Sequence, residues 1–209
     1  MSLCVRKCWF SPKACVEKCK HLTISCVEKC KAMKRKIYKQ LVDWKNREQH
    51  KPLILNGVRQ CGKTYILKEF GRNEFDNLAY ISCDRNESLH AIYAGDFDTA
   101  RIIRGLSALT GVDIIPGKTL IFLDEVQAFP QALEALKYFC EDAPEYHIVV
   151  AGSLLGVALH AGISFPVGKV QSMRLFPMDF EEFLMALGED QLLCLMHNKD
   201  YGVMNALHE

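Results

Sequence analysis

Between residues 57 and 64 the chain reads Gly-Val-Arg-Gln-Cys-Gly-Lys-Thr, a glycine followed after four intervening residues by Gly-Lys-Thr. No other feature restricts the fold as much. Gly57 and Gly62 let the backbone curl so that successive N–H groups point inward, which makes a cradle for an oxyanion. Such a cradle needs a buried strand before it to hold it and a helix after it, whose N-terminus adds positive potential. Both flanks are present. Leu53-Ile54-Leu55-Asn56 is a short apolar run after Pro52, and residues 62–70 carry an amphipathic pattern predicted to stop near Gly71.

The remaining sequence continues the alternation. Residues 34–48 are predicted as a helix with Ile37, Leu41, Val42 and Trp44 on or near one face, and Leu78 to Ser82 as a second strand. Residues 88–109 read as mainly helical with a break around Gly95-Asp96. Pro116-Gly117 marks a turn before Thr119-Leu120-Ile121-Phe122-Leu123, whose nearly unbroken apolar character belongs to a strand covered on both faces. A helix over 130–141 starts at Pro130, and His147 to Ala151 is a further buried strand leading into Gly152-Ser153. Strands alternating with helices imply an α/β fold: a parallel sheet between two helical layers. After Pro177 the pattern is helical, with Phe180, Phe183, Leu184 and Leu187 on one face and Glu181 and Glu182 in the first turn. Leu192, Leu193, Leu195 and Met196 form a second apolar stripe.

The chemistry follows from where these elements end. In the phosphate-binding loop reading, Gly57, Arg59, Gln60, Cys61, Gly62, Lys63 and Thr64 are the nucleotide contacts. Lys63 would reach the β and γ phosphates, and Thr64 would place its hydroxyl on Mg2+. Asp124, at the carboxyl end of a buried parallel strand, lies where open α/β sheets bind ligands and is placed to hold Mg2+ through water. Glu125 is the candidate general base for a water aligned on the γ phosphate. Were this an ATPase with an extra strand between the other two, Ser153 at that strand's tip would be a candidate sensor, able to hydrogen-bond the γ phosphate or the attacking water. Gln127 could orient the water or relay a partner's presence, and it could equally be a solvated turn residue.

Composition sets outer limits. With 49% hydrophobic and 24% charged residues in 209, the chain can fill a core and is not disordered. No run approaches the roughly 18 apolar residues of a spanning helix, and the basic N-terminus leads into no apolar signal segment, so a cytoplasmic location without membrane contact is expected. The net charge of +1 conceals an asymmetry: residues 1–50 hold 13 Lys or Arg against 4 Asp or Glu, and the rest is acidic. A basic leader can touch nucleic acid or an acidic partner, although solvation alone also accounts for it. Six of ten cysteines fall in the first 30 residues, in an eleven-residue repeat: Cys4 to Cys8, Cys15 to Cys19 and Cys26 to Cys30. Cys pairs with three residues between them, without a following His pair, match compact zinc sites poorly. The expectation is therefore a translated upstream repeat, with the native start at Met33.

Four segments together carry a resemblance: Gly57 to Thr64, Leu120 to Gln127, Ala151 to Gly156, and Leu175 to Phe183. They resemble a bacterial and archaeal family of AAA-like P-loop ATPases, from Met33 to about residue 190. The resemblance implies a three-layer P-loop NTPase sandwich with parallel strands in the order 5-1-4-3-2 and a helical extension. It implies ATP and Mg2+ as cofactors, Lys63 and Thr64 on the phosphates and metal, Asp124 completing the metal site, Glu125 as base and Ser153 as sensor. Domains are expected at 1–32 for the leader, 33–175 for the ATPase and 176–209 for a helical lid or linker. Relatives usually continue into a nuclease-like domain, so the chain looks like an N-terminal fragment. Gly168-Lys169 stands where relatives commonly have Gly-Arg, and Lys169 lacks the planar fork of a trigger arginine.

The function expected is ATP hydrolysis driving a conformational change on a partner protein or nucleic acid, with oligomerisation compatible. The alternative is a slow ATP-dependent binding switch without motor activity. A GTPase is disfavoured, since Asn198-Lys199-Asp200 misses the guanine-reading spacing by one residue. So is a small-molecule kinase, since residues 176–209 contain no Arg for a lid.

Overall fold

The computed structural model describes residues 35–153 and 168–198. The Cys-rich leader, its metal question and Met33 lie outside them. The chain divides into two compact units, one spanning Lys36–Met178 and one drawn from both ends, of which Arg35 and residues 179–198 are described.

The larger unit is a five-stranded, wholly parallel sheet. In chain order its elements are α1 (Ile37–Lys45), β1 (Leu53–Gly57), α2 (Lys63–Glu74), β2 (Asn77–Ser82), α3 (Ser88–Ile92), α4 (Thr99–Thr110), β3 (Thr119–Asp124), a 3-10 turn (Val126–Ala128), α5 (Gln131–Asp142), β4 (His147–Gly152) and β5 (Gln171–Leu175). The strands lie in the order β2-β3-β4-β1-β5, which is the 5-1-4-3-2 order expected. Thus β4 sits between the loop strand β1 and the Asp-Glu strand β3.

Side chains two apart on a strand share a face, and the two cores divide on that rule. Ile54, Ala79, Ile81, Ile121, Leu123, Ile148 and Val150 face one helical layer, with Leu89 of α3, Ile102 and Leu106 of α4, and Leu133, Leu136 and Phe139 of α5. Leu53, Leu55, Leu120, Phe122, Val149 and Ala151 face the other, with Leu41 and Trp44 of α1 and Ile66, Leu67 and Phe70 of α2. Every residue of β3 and β4 is buried. Their unbroken apolar runs therefore have this double cover as their cause.

Helix ends follow local chemistry. Asp98 caps α4 by accepting from the backbone N–H groups of Ala100 and Arg101, which ends the break predicted around Gly95-Asp96. Pro130 occupies the position before α5, as its fixed φ favours. The predicted stop near Gly71 is corrected: α2 runs on to Glu74, and Gly71 is buried inside it. A Cβ there would lie 2.7 Å from Leu78 Cδ1 and 3.2 Å from Leu120 Cδ2, so this glycine serves the approach of α2 to the sheet and does not terminate the helix. Strand β5 has no counterpart among the predicted segments. It is an edge strand with alternating burial, and only Met173 and Leu175 are covered.

The second unit contains α6 (Phe180–Leu187) and α7 (Asp190–His197). Asp179 and Glu182 form a capping box, in which the Glu182 N–H donates to Asp179 Oδ1 at 2.8 Å and the Asp179 N–H to Glu182 Oε2. Arg35 Nε also donates to Glu182 Oε2, at 3.0 Å, and both side chains are buried. Of the predicted apolar face of α6, only Leu184 is buried, whereas Phe180, Phe183 and Leu187 are exposed. No residue of α7 is buried. No helix among the described residues is long and apolar enough to cross a membrane.

Candidate functional site

All strands point the same way, so the segments that follow β1, β3 and β4 gather at one edge of the sheet. Three of them carry the residues singled out from sequence. After β1, Gln60 (φ 62°) and Gly62 (φ 94°) turn the chain through the left-handed region, which curls the loop before α2 begins at Lys63. Gly57 is tightly enclosed: a Cβ would stand 2.5 Å from Leu175 O and 2.9 Å from Cys61 Sγ. The edge strand β5 therefore walls the loop, and Cys61 Sγ lies 3.7 Å from that same Leu175 carbonyl. Val58, Arg59 and Gln60 are exposed, and Cys61 and Gly62 are half-buried.

Lys63 is buried, and its ammonium donates to the carbonyls of Gly57 at 2.9 Å and Val58 at 2.8 Å. Thr64 Oγ1 donates to Asp124 Oδ2 at 2.7 Å, joining the start of α2 to the end of β3. Asp124 is itself buried, and its other oxygen, Oδ1, accepts from the Glu125 N–H at 3.0 Å. Glu125 has φ 52° and ψ 42°, so the strand ends abruptly there, and Gln127 Nε2 donates to its carboxylate at Oε2. Ser153 is buried directly after β4, where Gly152 is in register with Asn56 of β1. Lys63, Thr64, Asp124, Glu125 and Ser153 thus converge on one edge.

Two residues at this edge were not singled out from sequence. Tyr80, on β2, donates from its hydroxyl to Asp124 Oδ2 at 3.4 Å, and Lys68, one turn beyond Thr64 on α2, places Nζ 3.4 Å from the centre of the Tyr80 ring. Burial, aided by the Asp124 charge, pushes the Tyr80 hydroxyl pKa up. Burial pushes the Lys68 ammonium pKa down, against the pull of Asp124. Only the alternation along β2 hinted at Tyr80, and alternation gives a face without giving a partner. Lys169 does not reach this edge. It precedes β5, whose first residue bonds Pro52 before β1, and Lys169 pairs with Glu141 at the end of α5 at 2.9 Å. It stands at the opposite end of the sheet from the loop.

Thr64 and Asp124 offer two hard oxygens in contact, while among the described residues no group of three or more His, Cys, Asp or Glu could hold a metal. A site with so few protein ligands fits Mg2+, which keeps waters and takes phosphate oxygens, and fits neither zinc nor a caged Ca2+.

A curled loop between β1 and α2, a carboxylate pair ending β3 and a 5-1-4-3-2 parallel sheet define an AAA-like P-loop nucleotide-binding module. The chain belongs to a family described as an AAA domain, whose match spans residues 49–184. No curated protein matches the sequence significantly. Among solved structures it is similar to the Orc1 protein of Aeropyrum pernix, determined in complex with DNA, at 15% identity and a TM-score of 0.47. That similarity covers 75% of this chain and 48% of Orc1, so the chain spans about half the length of that protein.

Proposed function

We propose that this protein binds ATP with Mg2+ and hydrolyses it, and that the resulting conformational change acts on a partner protein or nucleic acid. The observation that carries this reading is the 2.7 Å contact between Thr64 and Asp124, beside a loop whose lysine is already turned over it. Lys63 exchanges its two carbonyl partners for β and γ phosphate oxygens. Thr64 and Asp124 would hold Mg2+, the hydroxyl directly and the carboxylate through water. Mg2+ supplies charge neutralisation across the phosphates. Glu125 takes the proton from the attacking water, and Ser153 hydrogen-bonds the γ phosphate or that water from the tip of β4. Gly57, Arg59, Gln60, Cys61 and Gly62 line the loop, where inward backbone N–H groups hold the phosphates.

The test is direct. Lys63→Ala should abolish ATP binding measured by calorimetry, and Glu125→Gln should bind ATP while turning it over slowly. Unchanged affinity in the first variant, or wild-type turnover in the second, would remove the corresponding role. Turnover measured with and without DNA separates the motor from the binding switch, since only a motor working on DNA is stimulated.

A further inference from the structure

Gln127 is an unusual neighbour for the proposed base. Its side-chain amide nitrogen donates to Glu125 Oε2, while its carbonyl oxygen is sealed from solvent and accepts no hydrogen bond from any described residue. Buried polar atoms are rarely left so, and an orphaned one calls for an explanation. The orientation is dictated by Glu125. Turning the amide over would set its oxygen against an ionised carboxylate, so the donor faces the acid and the carbonyl is left over.

The backbone gives neither residue much freedom. Glu125 is held in the left-handed region, where a non-glycine residue is strained. The turn after it is closed by the N–H of Ala128 donating to Glu125 O and that of Phe129 to Val126 O, both at 3.0 Å. Val126 and Phe129 anchor this turn in the core. Gln127 therefore sits on an anchored turn two residues from the acid, and its amide bonds one carboxylate oxygen, Oε2.

We infer that Gln127 is a positioning residue for Glu125: its amide occupies Oε2 and so fixes which carboxylate oxygen, Oε1, is turned to the attacking water. This rests on the reading of Glu125 as the base. The carbonyl oxygen, without a partner among the described residues, is the cost of that arrangement. Alignment errors of about 1 Å at a proton acceptor lower rates by roughly a hundredfold without altering ground-state binding.

A double-mutant cycle with the full chain tests this, using Gln127→Leu, Gln127→Ala, Glu125→Gln and the Glu125→Gln/Gln127→Leu pair. Gln127→Leu and Gln127→Ala should lower kcat by roughly ten- to a hundredfold with KM and ATP affinity within about twofold of wild type. In the Glu125→Gln background, Gln127→Leu should have no further effect on kcat, because both changes disable one group. Melting curves show that each variant is folded. The leucine keeps the volume, and alanine serves should leucine fail to fold. Wild-type kcat in the Gln127 variants, a loss confined to KM or melting temperature, or additive losses in the pair would overturn the inference and leave the base standing. Wild-type turnover in Glu125→Gln alone would overturn the base itself.

Discussion

Thr64 Oγ1 donates a hydrogen bond to Asp124 Oδ2 at 2.7 Å, across 60 residues of sequence. One residue lies in the first turn of α2, the helix that follows β1, and the other ends β3, while β4 separates β1 from β3 in the sheet order. The contact exists because a parallel sheet brings every strand's carboxyl end to the same edge. If the pair holds Mg2+, Thr64→Ala and Asp124→Asn should each weaken the Mg2+ dependence of ATP binding by at least about tenfold. Calorimetric titrations with Mg2+ and with EDTA check this, and an unaltered dependence in both variants would sink the metal assignment.

Gly57 is enclosed most closely by backbone, with the Cys61 sulfur next. A methyl there meets the carbonyl of Leu175 at 2.5 Å, and a β5 carbonyl cannot swing aside without disturbing its pairing with β1. Gly57→Ala should destabilise the protein by about 1–3 kcal/mol in urea unfolding. It should also weaken ATP binding, since β5 walls the loop. A variant as stable as the parent would show that this edge yields.

His147 gives the protein an acid limit. Its ring stacks on His50 at 3.8 Å and packs edge-on against Trp44 and Phe75. Nε2–H donates to Lys45 O at 3.2 Å, which leaves Nδ1 buried with no partner among the described residues. Protonation would put a charge on that orphan nitrogen. Burial, with His50 and Lys45 adding positive charge, pulls the His147 pKa down to about 4. The unfolded chain then binds more protons between about 6.5 and 4, so the stability is fully present above pH 6.5 and is lost as pH falls to about 4. The loss should be on the order of 2 kcal/mol, allowing for solvent screening. Comparison with His147→Phe separates it from carboxylate titration, because the variant's profile should be flatter. An equal slope in the two proteins would refute it.

Cys83 should resist alkylation. It follows β2, is buried, and its N–H donates to Asp124 O at 2.8 Å. Burial, reinforced by the charges of Asp124 and Glu125, pushes its thiol up to about 12, so almost no thiolate forms at neutral pH. Mass spectrometry after iodoacetamide treatment should find Cys83 unmodified in the folded protein and labelled in urea. Rapid labelling in the native state would mean that this end of β2 opens readily.

The exposed rings of Phe180 and Phe183 show where pattern reading stops. Their spacing with Leu184 and Leu187 marks an apolar face, and the helix forms as that spacing requires, yet only Leu184 is covered. Periodicity reports that a face exists and carries no information about what lies against it. Gly71 shows the same limit. Glycine is a poor helix former and so predicts a helix end, whereas the space available to Gly71 is set by Leu78 and Leu120 on two strands that α2 packs against.

Sequence alone determined the elements whose signals are local: the loop from Gly57 to Thr64, the doubly covered strands β3 and β4, the helices between them, and the carboxylates ending β3. The strand order was legible only through the family resemblance. Tertiary structure alone decided that β5 walls the loop at Leu175, that Tyr80 and Lys68 stand beside Asp124, that Gln127 bonds Glu125, and that Lys169 lies at the far end of the sheet. The physical reason is range. Helix and strand periods, caps and glycine turns act over a few residues, whereas an edge strand's register and a side chain's partner are fixed by contacts between segments that neighbour each other only after folding.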